Sequence, residues 1–193
     1  MLKEFGLPAP GADMDQLFAP WRIEWVERDE ATGSIDGCVF CALTEREADR
    51  EHGLLARSEH AYVLLNNYPY NPGHAMVIPH QHTGDYAALD ETVLEAHARC
   101  KQRTIAALRT ALDPDGFNVG LNLGTGAGGS IDDHLHTHVV PRWAGDTNFM
   151  PVIGETKVIV EAISDTYDRV HAAFAAQEGA HVENDDSAVC LEL

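Results

Sequence analysis

The sequence predicts an α+β domain, with a mostly antiparallel sheet, one long helix and a further helix towards the C-terminus. Three observations carry this prediction. Short apolar and β-branched runs such as "HAMVIP" and "THVV" read as strands. A single long stretch, "DETVLEAHARCKQRTIAALRTAL" (90–112), repeats its apolar or small residues near a 3.6 period. The strand-like runs are grouped around that helix and do not alternate strictly with helices, which disfavours a doubly wound parallel sheet.

In chain order, residues 1–16 mix Gly, Pro and Asp and read as a flexible arm. "LFAPWRIEWV" (17–26) is apolar and aromatic and is expected to pack on another surface. "GSIDGCVFC" (33–41) is a Gly-rich turn carrying a C-x-x-C pair, and a short helix is expected over 42–50. "GLLARSEHAYVLLN" (53–66) reads as two strands around a turn, and "HAMVIPHQH" (74–82) as a third strand. In the long helix Val93, Leu94, His97, Cys100, Thr104, Leu108 and Leu112 share a stripe. Asp90 fits an N-cap, and "DPDG" closes the segment. "FNVGLNLG" (117–124) is a strand running into the Gly-rich "GTGAGGS". The segment 155–176 is expected as a final helix, and 177–193 as an acidic mobile tail. The domain proper is thus expected over 17–176.

Composition narrows the function. A length of 193 residues with 45% apolar content suits one domain with its own core. The formal net charge of −18 argues against binding a nucleic-acid backbone. A small anionic ligand remains compatible, because local dipoles and a few cations can hold it. No apolar run is long enough to span a membrane, and no signal-peptide pattern is present, so a cytoplasmic location is expected. Cys38 and Cys41 form the C-x-x-C pair, Cys100 falls on the helix stripe as a small hydrophobe, and Cys190 lies in the tail.

"HLHTHVVPRW" (134–143) is the most informative stretch. In an extended chain His134, His136 and His138 point to one side, with neighbours roughly 6–7 Å apart, while Leu135, Thr137 and Val139 take the other. The β-branched residues and the stop at Pro141 favour a strand over a helix. Such a ladder can be a polar strand face, a metal site using all three rings, or a centre for nucleophilic attack at phosphorus. "LGTGAGGS" (123–130) just upstream favours the last, since backbone N–H groups of Gly and small residues can form an anion nest beside candidate nucleophiles.

"HLHTHVV" fits an H-x-H-x-H-x-x pattern and resembles the histidine triad family of nucleotide hydrolases and transferases. "LLNNYPYNPGHAMVIPHQH" (64–82) and "NLGTGAGGS" (122–130) are similar to that family's first half and to its loop before the triad. "YPYNPGH", "GFNVGLNLGT" and "HVVPRWAGDTNF" resemble in particular the branch that splits diadenosine tetraphosphate with inorganic phosphate. The resemblance implies that His136 is the nucleophile and forms a nucleotidyl-histidine. Its other ring nitrogen would hold a proton against a backbone carbonyl. His138 would reach the phosphate or leaving-group oxygens, and Ser130 with the N–H groups of Gly128 and Gly129 would receive transition-state charge. Asn66 falls where the family holds the ribose hydroxyls, Asn122 near the α-phosphate, and His74 at a packed, hydrogen-bonded position. Water as acceptor would give a hydrolase, and phosphate a phosphorylase. Hydrolysis of phosphoramidates or adenylates, or nucleotide binding with little turnover, are the competing readings.

The C-x-x-C spacing suits a structural zinc site, which needs two further ligands. The resemblance supplies His82 and His134, with His80 as an alternative to His82. Magnesium would accompany a polyphosphate substrate. The family also implies a homodimer formed through the sheet edge and helix, with "WRIEW" and Trp143 as candidate interface residues.

Overall fold

A computed structural model describes residues 37–45, 48–129, 131–154 and 161–193. The expected N-terminal arm (1–16), the aromatic stretch 17–26 and Ser130 lie outside the described residues. The chain divides into two compact units. The described part of the smaller one is Phe149–Gly154, with a short helix at Met150–Gly154. Everything below concerns the larger unit.

Its elements in chain order are α1 (Val39–Thr44), α2 (Asp49–His52), β1 (Leu54–Arg57), β2 (Ala61–Leu65), β3 (Ala75–Pro79), α3 (Glu91–Leu112), β4 (Gly116–Gly120) and β5 (Thr137–Arg142). After the smaller unit's helix, α4 (Met150–Gly154), come α5 (Ile163–Ala175), β6 (Ala180–His181) and β7 (Val189–Leu191). The seven strands form one sheet in the order β4-β5-β3-β2-β1-β7-β6. Every pairing is antiparallel except β1 with β7. The α+β class expected from sequence is therefore the class observed.

The pleat sends alternate residues to opposite faces. Val63, Leu65, Ala75, Val77 and Val139 face α3 and α5 and form the main core with Cys100, Leu108, Tyr167 and Phe174. On α3 the buried stripe is Val93, Ala96, His97, Cys100, Thr104, Ala107, Leu108 and Leu112, close to the predicted one. Asp90 precedes the helix without a side-chain capping bond. The other sheet face carries a smaller cluster of Phe40, Leu54, Tyr62, Leu64, Met76, Ile78 and Ala188. His138 stands directly opposite Met76 in the β3–β5 register, so it shares this second face.

Several boundaries differ from expectation. The acidic tail is not a loose appendage: Val189 and Leu191 are buried, β7 joins β1, and β6 closes that edge. Its pattern was missed because strands of two and three residues carry no legible period. The helix expected over 42–50 is instead two short helices, the first starting between the cysteines. The strand expected to run to residue 82 stops at Pro79. The described part of the final helix begins at Ile163. Pro141 lies inside β5 and does not stop it. It pairs with Phe117 on β4, whereas the pairing with β3 reaches only Val139, so the missing N–H interrupts no second ladder.

Candidate active site and metal centre

The histidine stretch is extended, but only its third ring belongs to the strand. His134 and His136 precede β5, which starts at Thr137. The alternation survives: Leu135, Thr137 and Val139 are buried on their own side. The rings of His136 and His138 are closer than a plain ladder would place them, with centroids 5.0 Å apart in an edge-to-face arrangement.

Backbone carbonyls and a fourth histidine fix the protons on these rings. Nδ1 of His136 lies 2.9 Å from the carbonyl oxygen of His134. A carbonyl only accepts, so Nδ1 carries the proton and Nε2 keeps its lone pair. For His138 the constraint comes from His74, which is fully buried. The Tyr70 N–H donates to Nδ1 of His74 at 3.1 Å, which puts the neutral imidazole proton on Nε2. That proton is donated to Nδ1 of His138 across 2.9 Å. In the neutral ring the proton of His138 then sits on Nε2. Two adjacent triad rings thus present opposite chemistry: His136 a lone pair, His138 an N–H. Tyr70 stacks on His74 at 4.6 Å and helps hold this relay. His74 is packed and hydrogen-bonded as expected; that its bond goes to His138 and sets the tautomer there was not legible in the sequence.

Behind β5, α3 supplies another contact. Nε2 of the buried His97 lies 3.0 Å from Oγ1 of Thr137 and 3.3 Å from the carbonyl of Val77. Thr137 sits between His136 and His138, so α3 anchors the triad segment from the core side. Burial, with a smaller contribution from Lys101, lowers the pKa of His97 to about 4.

The expected substrate residues are placed as follows. Asn66 follows β2, accepts the Tyr68 N–H at 2.8 Å, and its Nδ2 lies 3.4 Å from Nδ1 of His74, beside the relay. Asn122 packs against Gly129. The loop makes a 3-10 turn at Thr125–Ala127 and then enters the left-handed region at Gly128 (φ 78°). A right-handed residue followed by a left-handed one aims successive N–H groups into a concavity that suits an anion.

A second cluster adjoins the first. Sγ of Cys38, Sγ of Cys41 and ring nitrogens of His82 and His134 all lie within 4.8 Å of one another. Nδ1 of His134 is 3.2 Å from Cys38 Sγ and 3.6 Å from Cys41 Sγ, while Nδ1 of His82 is 3.3 Å from Cys41 Sγ. A tetrahedral zinc with the usual bond lengths separates sulfur from nitrogen by about 3.6 Å, so the set fits that metal. His134 donates from Nε2 to the Pro79 carbonyl at 2.8 Å, which turns its Nδ1 lone pair towards the thiols. Burial lowers its pKa and keeps it neutral. Burial and the adjacent Cys38 push the Cys41 thiol up, a strain that a cation would relieve. His80 does not join. With β3 ended at Pro79, its Nε2 turns to the Ser58 carbonyl at 3.2 Å, and of these two histidines it is His82 that reaches the cysteines. Asp133, which no motif singled out, lies 3.8 Å from the outer nitrogen of His82.

A mostly antiparallel sheet, a triad of alternating histidines and a Cys2His2 cluster at its head define a protein of the histidine triad class. The HIT domain family matches residues 47–145, and the chain belongs to that family. It is 38% identical over 169 residues to a Mycobacterium tuberculosis protein named AP-4-A phosphorylase, covering 85% of this chain and 86% of that one. Among solved structures it is similar to a zinc-bound histidine triad family protein from Mycobacterium smegmatis. That match has 28% identity and a TM-score of 0.59, over 72% of this chain and 94% of the other. A hypothetical histidine triad nucleotide-binding protein from Sulfolobus tokodaii superposes with a TM-score of 0.57 at 29% identity, over 71% and 89%. Among the described residues no helix is long and apolar enough to cross a membrane.

Proposed function

We propose that this protein is an enzyme that cleaves dinucleoside polyphosphates such as diadenosine tetraphosphate, with inorganic phosphate as acceptor. The observation that carries the proposal is the bond from Nδ1 of His136 to the His134 carbonyl, which commits Nε2 to a lone pair. The likeness to the mycobacterial AP-4-A phosphorylase supports the choice of substrate.

Nε2 of His136 attacks the α-phosphorus, the bond to the bridging oxygen breaks, and ATP leaves. AMP stays on Nε2 as a phosphoramidate. His138 donates its Nε2–H to the departing oxygen or to a non-bridging one. The Gly128–Gly129 turn and Ser130 receive the equatorial charge, and each such donor is worth about 10²–10³ in rate. Hydrogen phosphate then attacks the AMP-phosphorus, its proton passes to Nε2 of His138, ADP forms, and His136 regains its lone pair. Asn66 holds the ribose hydroxyls and Asn122 lies by the α-phosphate.

Cys38, Cys41, His82 and His134 would hold zinc, which supplies structural cross-linking of α1 to the triad segment. Magnesium would arrive on the polyphosphate. The proposed form is a cytoplasmic homodimer, which sedimentation would test.

The decisive experiment incubates the protein with diadenosine tetraphosphate, with and without phosphate. ADP plus ATP formed only with phosphate is expected. AMP plus ATP in both tubes would make water the acceptor. No cleavage would overturn the polyphosphate reading and favour phosphoramidates or adenylates. His136→Asn is expected to abolish turnover while leaving nucleotide affinity within about tenfold, because binding and chemistry are then separated. Surviving turnover would refute His136 as nucleophile.

A further inference from the structure

Phe40 stands between the two cysteines and takes no part in the chemistry above. It is only 4% exposed. Its ring centroid lies 5.2 Å from that of His136, tilted by 48°, and 5.6 Å from that of His134, edge to face. Its carbonyl accepts a 2.8 Å bond from the hydroxyl of the fully buried Tyr62. The backbone of Phe40 is thus pinned from β2, while its side chain rests against the imidazole that carries the free lone pair.

The physical need for such a contact is clear. His136 is tethered at one edge by the bond from Nδ1 to the His134 carbonyl. A ring held by a single hydrogen bond can still turn out of it, which swings Nε2 away from the line of attack and frees the ring proton to move to either nitrogen. His138 meets the ring edge to face, and Phe40 lies against it as a second neighbour. A displacement of about 1 Å at a reacting atom can lower a rate about 10²-fold. Phe40 also belongs to α1, whose start carries Cys38 and Cys41. Whatever gathers the cysteines with His82 and His134 also sets where this ring lies.

We propose that Phe40 is a positioning residue for His136, and that the Cys2His2 cluster influences the chemistry through it. This rests on the reading of His136 as the nucleophile. Phe40 touches neither phosphorus nor the leaving group in this scheme; it acts by restricting one ring.

The test compares Phe40→Ala and Phe40→Leu in the full chain. Steady-state cleavage of diadenosine tetraphosphate, zinc per chain and ¹⁵N NMR of the His136 imidazole are measured on each. Phe40→Ala is expected to lower kcat about 10- to 100-fold, with KM within about threefold and zinc retained. The His136 spectrum should change from one Nδ1–H tautomer to a mixture. Phe40→Leu refills part of the volume and should recover part of kcat and of the single tautomer. Cys38→Ser combined with Phe40→Ala should lose less than the product of the two single losses, because both act through one contact. An unchanged kcat overturns the proposal. So does a loss confined to KM, which would make Phe40 a substrate contact, or a loss of kcat with an unaltered tautomer. If the wild-type protein cleaves nothing, the nucleophile reading fails on its own. The NMR comparison then decides the positioning role: a single tautomer in Phe40→Ala refutes it and a mixture supports it.

Discussion

Acidification should destabilise this protein through His97, and the size of the effect can be worked out. His97 is fully buried on α3, and its Nδ1 has no hydrogen-bond partner. Its pKa is about 4 in the folded chain against an ordinary 6.5. The sign follows directly. Between these values the unfolded chain binds a proton that the folded chain refuses, so stability falls as pH falls through that window. At pH 7 both states are neutral and almost nothing is lost. Linkage gives a loss of about 2 kcal/mol at pH 5 and about 3 kcal/mol at pH 4, after which the curve levels. Other histidines contribute too: burial lowers His134 and His80 in the same direction. The assay must isolate one residue. Urea unfolding of the wild type and of His97→Gln at pH 7, 6, 5 and 4 does so. Glutamine does not titrate and can still donate towards Thr137 and Val77 from its amide. The stability gap between the two proteins should shift in favour of the variant by about 3 kcal/mol from pH 7 to pH 4. A gap that stays flat with pH would refute burial as the cause of the shifted titration.

Three other outcomes are expected. Elemental analysis of the native protein should find about one zinc per chain, and Cys38→Ser should lose it; a metal-free native preparation would refute the site. His74→Ala removes the donor to Nδ1 of His138, so kcat should fall about 10- to 100-fold and the pH profile should move, since the bond that directs the His138 proton to Nε2 is lost; an unchanged profile would refute the relay. Gly84→Ala places a Cβ against the carbonyl oxygen of Asp132, and because that is backbone next to the triad, melting should report a loss of about 1–3 kcal/mol; a neutral substitution would show that the loop yields freely.

Much of the candidate site's layout was legible because its signals are local. Alternation at His134, His136 and His138 reports which way side chains point in an extended segment, whatever lies around them. The spacing of Cys38 and Cys41 reports two sulfurs on one turn, and the period of 90–112 reports a helix with one buried face. The net charge of −18 argues against a nucleic-acid backbone as partner whatever the fold.

What the sequence could not carry depends on the order of strands in the sheet. Cys38 meets His134 across 96 residues, and His74 meets His138 across 64. The choice of His82 over His80 was made by the end of β3 at Pro79, because alternation holds only while the strand lasts. The last residues read as a tail because β6 and β7 are too short to show a pattern, and only a free sheet edge beside β1 gives them a place. Phe40 carries no signal in the sequence; only the fold, by placing α1 beside the triad segment, lays its ring on His136. Periodicity determines the direction in which a side chain points; the sheet determines what it meets there.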